Sequence, residues 1–196
     1  MPPVTLPRRM FAAGALEFGE PLALGRDAEL VLAIADVRHR AGRSGDLIFV
    51  EVDRVLSQDG AARIRERQTI VYRDAGDPTP PVVPAAGPSA GDETWTPTAV
   101  DLFRYSAATF HSHRIHYDLK YATEEEGYPG LVVHGPFTAS KLFAFAAKHG
   151  PIRHFTFQAR APLFAGQAVA VKKVDGGELQ AIRRDGAVAM AASLAR

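Results

Sequence analysis

Residues 109–118 read Thr-Phe-His-Ser-His-Arg-Ile-His-Tyr-Asp, and residues 127–136 read Gly-Tyr-Pro-Gly-Leu-Val-Val-His-Gly-Pro. Four of the seven histidines stand in these two segments, so the chemistry available here is proton transfer by imidazole. An imidazole titrates near neutral pH, with an unperturbed pKa of about 6.5, which suits general acid–base work. His111, His113 and His116, spaced His-x-His-x-x-His, admit three readings. They can cap turns and bond backbone carbonyls, they can ligate a metal ion, or one of them can act as a general base. The spacing contains no helical i,i+4 pair and the chain contains no cysteine. The acid–base reading is therefore preferred, with His116 as the base and no metal expected.

His134-Gly135-Pro136 has the form of a helix start. Free amides there carry partial positive charge and can hold an oxyanion or polarise a carbonyl. Pro136 has no N–H, which leaves Gly135 as the nearest donor on the loop side. The plainer alternative is that Gly135 is a flexible helix entry and His134 packs locally. Tyr128-Pro129-Gly130 either lines the entrance between the histidine loop and this helix or forms an ordinary turn. Arg43 and Arg114 belong to a scatter of arginines that mostly face solvent, although a phosphate-bearing substrate needs one or two of them.

The elements that must hold these residues are legible in outline. Glu29–Arg40, Ile48–Ser57 and Arg63–Arg73 alternate apolar and polar residues, with Gln58-Asp59-Gly60 as a hairpin turn. Leu30, Leu32 and Ile34 share one face of the first of these. Residues 74–97 are rich in proline, alanine and glycine and read as a linker without regular structure. Thr98 then caps a helix carrying Val100, Leu102, Phe103 and Tyr105. Asp118–Glu126 suits a short helix with Asp118 as its cap. Gly135-Pro136 opens Phe137–His149, which is apolar on nearly all sides and predicts a buried helix. Four strands follow, over 152–160, 167–174, 179–184 and 187–194, the last three joined by Asp-Gly turns. A buried helix followed by an antiparallel meander predicts an α+β architecture with a sheet wrapped around a central helix. The division expected is 1–75, 76–97 and 98–196, within one composite domain.

Composition narrows the function. A net charge of +1 without a basic block gives no reason to expect nucleic acid. No apolar run reaches the ~18 residues of a membrane span, and the first residues lack a signal-peptide core. The absence of cysteine excludes disulfides and thiolate chemistry and fits a reducing compartment. A soluble cytoplasmic protein is expected. There is no Gly-x-Gly-x-x-Gly, Walker or Gly-x-Ser-x-Gly sequence, so nucleotide-driven and serine-hydrolase chemistry have no support.

Residues 98–136 resemble the hydratase motif of MaoC-like, R-specific enoyl-CoA hydratases with the hotdog fold, which runs Ser-Gly-Asp-x-Asn-Pro-Leu-His-x-Asp and is followed by a Leu-His-Gly helix start. The chain is more similar still to the itaconyl-CoA / mesaconyl-C4-CoA hydratase and type 2 hydroxyacyl-thioester dehydratase branch. The segments that carry this likeness are Arg-Tyr-Ser-Ala-Ala-Thr-Phe, His-Arg-Ile-His-Tyr-Asp, Glu-Gly-Tyr-Pro-Gly-Leu-Val-Val-His-Gly-Pro, Arg-Arg-Met-Phe-Ala-Ala-Gly and Gly-Arg-Ser-Gly-Asp-Leu-Ile-Phe-Val. The resemblance implies a hydro-lyase that reversibly hydrates an α,β-unsaturated acyl-CoA thioester of the mesaconyl-C4-CoA or itaconyl-CoA type, without a cofactor. It places the catalytic histidine on His116 and the oxyanion-hole glycine on Gly135. The family's catalytic aspartate falls on His111, and its asparagine and proline fall on His113 and Arg114. His111 or His113 then stands in for the aspartate, or Asp118 serves from another direction. Tyr128, Gly130, His134, Arg114 and Arg43 are the expected substrate contacts, with Arg114 meeting a free carboxylate. The family's double hotdog carries a helix in its first half that this chain lacks, so an incomplete double hotdog and a homodimer are expected. The departures leave one rival reading, a non-catalytic acyl-thioester-binding module or structural subunit of a larger hydratase.

Overall fold

Asp59 and Gly60 take φ values of 53° and 74°, the left-handed pair that a tight hairpin needs, and the chain reverses there between two long strands. The computed structural model describes residues 4–42, 45–74 and 93–196. Most of the expected linker, and Arg43, lie outside the described residues. The strands are β1 (Arg8–Phe18), β2 (Glu29–Gly42), β3 (Gly45–Gln58), β4 (Ala61–Arg73), β5 (Glu93–Trp95), β6 (His154–Ala159), β7 (Val169–Lys173), β8 (Leu179–Ile182) and β9 (Val188–Ala195). The helices are α1 (Ala99–Ala108) and α2 (Gly135–Ala147). Two compact units result, one of Met1–Gly76, His149–Gln158 and Ser193–Arg196, the other of Asp77–Lys148 and Ala159–Ala192.

In the first unit the strand order is β2-β3-β4-β1-β6, and the pairs β2–β3, β3–β4, β4–β1 and β1–β6 are antiparallel. The register sets Leu30, Leu32 and Ile34 opposite Leu56, Arg54 and Val52, so the three share a face as their spacing predicts. Val50, Val52, Ile70 and Tyr72 form the core on that face. Leu30, Leu32 and Ile34 on the end strand remain 44–59% exposed. Strand β1 was not expected from the sequence, because Ala and Gly replace the β-branched residues that advertise a strand. Its Gly14 has a packing reason. A Cβ there would stand 2.5 Å from the Phe157 ring on β6, so only glycine lets that ring close over β1.

In the second unit the order is β9-β8-β7-β5, again antiparallel where these strands pair. Residues 93–95, expected to be linker, instead form β5 against β7. Trp95 supplies the reason, its ring packing edge-on against Phe137 at 5.6 Å. Thr98 caps α1 as expected, accepting from the Asp101 amide at 3.1 Å while Asp101 accepts from the Thr98 amide at 2.9 Å. Helix α2 packs against β8. Only the stripe Thr138, Ala139, Leu142 and Ala146 is buried, whereas Ser140, Ala144 and Ala147 are exposed. The expected helix buried on all sides is thus one with a single buried face; its exposed alanines are too small to force burial.

Candidate active site

The site is built where α1 ends and α2 begins. Past α1 the Phe110 backbone turns left-handed, with φ 51°, and the His111 amide donates to the Ser106 carbonyl at 2.8 Å. This reversal brings His111 and His113 back beside the helix. Arg114–His116 form a single 3-10 turn. One short backbone link then ties this turn to the segment before α2, the Val132 amide donating to the Ile115 carbonyl at 3.0 Å. The next residue, Val133, is anchored elsewhere, its amide donating at 2.8 Å to the Leu163 carbonyl on the segment between β6 and β7.

His116 is buried, 6% exposed, and its Nδ1 lies 2.7 Å from the Val132 carbonyl. A carbonyl only accepts, so the proton sits on Nδ1 and the Nε2 lone pair is left bare. Burial, followed by the neighbouring His134, pushes the His116 pKa down to about 2, against the raising effect of the Val132 carbonyl. His134 is 1% exposed, with Nε2 2.9 Å from the Ser106 hydroxyl. Burial, then His111 and His113, push its pKa down to about 3. Both rings are neutral near pH 7. They stack with centroids 3.7 Å apart and planes 19° from parallel. His111 stands 5.2 Å from the His116 ring and 5.4 Å from the His134 ring, and His113 stands 5.5 Å from His116. Tyr105 tilts against His134 at 4.8 Å and stacks on Phe137 at 4.9 Å.

All four histidines singled out in the sequence therefore converge. One ring nitrogen from each of His111, His113 and His116 lies within 4.8 Å of the others, so these three could hold a metal ion. Gly135 follows His134 directly as the first residue of α2, and no side chain caps this end. With Pro136 lacking an N–H, the Gly135 and Phe137 amides are the first-turn donors without a partner inside the helix. The arrangement offers a bare imidazole nitrogen for a proton and a helix start for a developing negative charge.

The remaining residues are placed differently. The Arg114 guanidinium donates through Nε and a terminal nitrogen to one Asp118 oxygen, at 3.0 and 2.7 Å, and lies over the Tyr121 ring. Asp118 also accepts from the Tyr121 amide at 3.1 Å, capping a π-helical turn over Tyr121–Glu125. The carboxylate is thus occupied on the turn, with its pKa lowered by the Tyr121 amide and Arg114. Tyr128 is half-buried near Phe164, and Gly130 faces open space. Sequence reasoning missed Ser106. Its signal is a hydroxyl four residues after Leu102, on the buried stripe of α1.

Comparison with known proteins shows the family and the fold of the chain. Residues 1–165 match the model of the family described as hydroxyacyl-thioester dehydratase type 2. The chain is 43% identical to the mesaconyl-C(4)-CoA hydratase of Chloroflexus aurantiacus over 202 aligned residues, covering 99% of this chain and 72% of that one. Among solved structures, a MaoC-like dehydratase superposes with a TM-score of 0.72 at 17% identity, over 98% of this chain and 77% of the other. A Mycobacterium tuberculosis protein described as a double hotdog superposes with a TM-score of 0.63 at 12% identity, over 96% and 74% of the two chains. These likenesses show the hotdog fold expected from the sequence. The family match and the 43% identity together show that the chain belongs to the hydroxyacyl-thioester dehydratase type 2 family, whose members are enzymes of the hydro-lyase type.

Proposed function

We propose that this enzyme reversibly adds water to the double bond of a mesaconyl-C4-CoA-type enoyl thioester, with His116 as the base. The observation that carries this reading is the His116 ring, fixed by the Val132 carbonyl so that Nε2 has no proton. In the hydration direction Nε2 takes a proton from water as the water oxygen bonds to Cβ. The electron pair of the double bond moves toward the thioester oxygen, where the Gly135 amide and the start of α2 stabilise the enolate. Cα then receives a proton from His111 or His113, which the proton held by His116 replaces, or from His116 itself where those two only orient the water. H and OH are thus added and the imidazoles return to their starting state. Neither is an aspartate, so the Asp–His pair of the resembling hydratase motif is replaced by an all-imidazole group.

Tyr128 and Gly130 border the acyl chain in this reading. Arg114 meets the free carboxylate of the acyl group with the guanidinium nitrogen that Asp118 leaves unused. The exposed apolar residues of β2, an end strand of its unit, support a homodimer. A CoA thioester substrate and the lack of cysteine support a cytoplasmic setting. No described helix is long and apolar enough to cross a membrane.

The test is loss of the enoyl-thioester absorbance with mesaconyl-C4-CoA, itaconyl-CoA and crotonyl-CoA. Turnover is expected on at least one of the two acids. Absence of turnover on all three by folded protein that binds CoA esters would overturn the catalytic reading and favour a binding module.

A further inference from the structure

The mechanism above leaves one buried polar pair unused. Ser106, 7% exposed on α1, and His134, 1% exposed before α2, meet at 2.9 Å across 28 residues of sequence. The other nitrogen of the same ring, His134 Nδ1, is buried with no hydrogen-bond partner among the described residues. A buried N–H left unpaired is a costlier defect than an unfilled acceptor. The proton on His134 therefore belongs on Nε2, where Ser106 can receive it, and Nδ1 stays a bare lone pair. Ser106 is then the one hydrogen-bonding side chain that fixes this ring among the described residues, and the ring it fixes is the surface against which His116 stacks. The other groups facing His134 are Tyr105 from α1, His111 and His113 from the loop, and His116 from the 3-10 turn.

We propose that Ser106 is a positioning residue, which accepts a hydrogen bond from His134 Nε2–H and so holds the His134 ring flat against the base His116. This rests on the reading of His116 as the base. Without the Ser106 oxygen, His134 has two unpartnered ring nitrogens in a buried site. Such a ring rotates to seek a partner for its N–H, and that rotation removes the flat support behind His116. Since neither Ser106 nor this contact is asked to bind the acyl chain, the effect falls on the chemical step and not on affinity.

The experiment compares wild type, Ser106→Ala and Ser106→Thr by steady-state kinetics on the best enoyl-CoA, thermal melting and the 15N signals of histidine rings. Ser106→Ala is expected to lower kcat about tenfold or more with KM changed less than about twofold, and Ser106→Thr to restore most of kcat. The wild-type His134 signals should show the Nε2-protonated tautomer, and Ser106→Ala should lose that pattern. Unchanged kcat in Ser106→Ala, or an Nδ1-protonated His134 in the wild type, would overturn the proposal. So would equal losses in both variants accompanied by a large fall in melting temperature, which marks a packing role only. The tautomer readout does not depend on turnover, so it still decides the placement of Ser106 if wild type proves inactive on every thioester.

Discussion

His116 and His134 stack face to face, with ring centroids 3.7 Å apart, although eighteen positions separate them in the sequence. Two charged imidazoles cannot occupy that geometry in a buried site without strong repulsion. The contact is stable because both rings are neutral, one donating its Nδ1–H to the Val132 carbonyl and the other held at Ser106. A base that stays unprotonated follows from the packing itself.

Acid should destabilise the fold through these two residues. Their folded pKa values, about 2 and about 3, lie below the unfolded value near 6.5. Between those limits the unfolded chain binds more protons, so stability falls as the pH drops below about 6.5 and is unaffected by these groups above it. Melting temperature measured from about pH 8 down to about pH 4 should decline below about 6.5, and His134→Asn should decline less steeply. An identical slope in that variant would remove His134 from the account.

The same shift bears on turnover. His116 keeps its basic form through the mildly acidic range, so kcat/KM should show no acid limb near 6.5 from this residue. A limb there that disappears in His116→Ala alone would contradict the neutral buried base.

Arg114 gives a substrate-dependent prediction. Arg114→Ala should raise KM for mesaconyl-C4-CoA about tenfold, the worth of one exposed charge-assisted contact, and leave crotonyl-CoA, which has no free carboxylate, nearly unchanged. Equal effects on the two thioesters would assign Arg114 to its turn with Asp118 alone.

Gly130 tests the proposed acyl-chain contact. A Cβ added there meets nothing within 4 Å, so Gly130→Ala should leave stability within about 0.5 kcal/mol of wild type. If that space receives the acyl chain, KM rises in the same variant while melting is unchanged.

Thr98→Ala should cost about 1 kcal/mol in denaturant unfolding, because it removes the acceptor for the Asp101 amide in the capping box of α1. Ser106 lies on that helix, so a small loss of kcat should accompany the loss of stability.

The sequence disclosed the parts of this architecture that depend on local pattern. Thr98 before an apolar helix, Asp59-Gly60 between alternating strands and Gly135-Pro136 at a helix start each act through their own backbone geometry, and each is where its residue type predicts. What stayed hidden depends on partners distant in the chain. Strand β1 is a strand because Gly14 admits Phe157, and β5 forms because Trp95 packs on Phe137. Neither reason is visible within a short window. The four histidines could be named from their segments, but their stacking required the loop reversal at Phe110 and the link between Ile115 and Val132. Ser106 looks like any helical serine until His134 is set beside it. The one-faced burial of α2 was misread because alanine counts as apolar whether or not a neighbour covers it.

The measurement that bears most directly on His116 as the base is turnover of mesaconyl-C4-CoA by His116→Ala, with binding of a saturated CoA ester as the control. The account predicts a fall in kcat of about 10²- to 10⁴-fold with the CoA ester still bound, the usual worth of one general base. Wild-type turnover in that variant would contradict it and move the proton transfer to another residue.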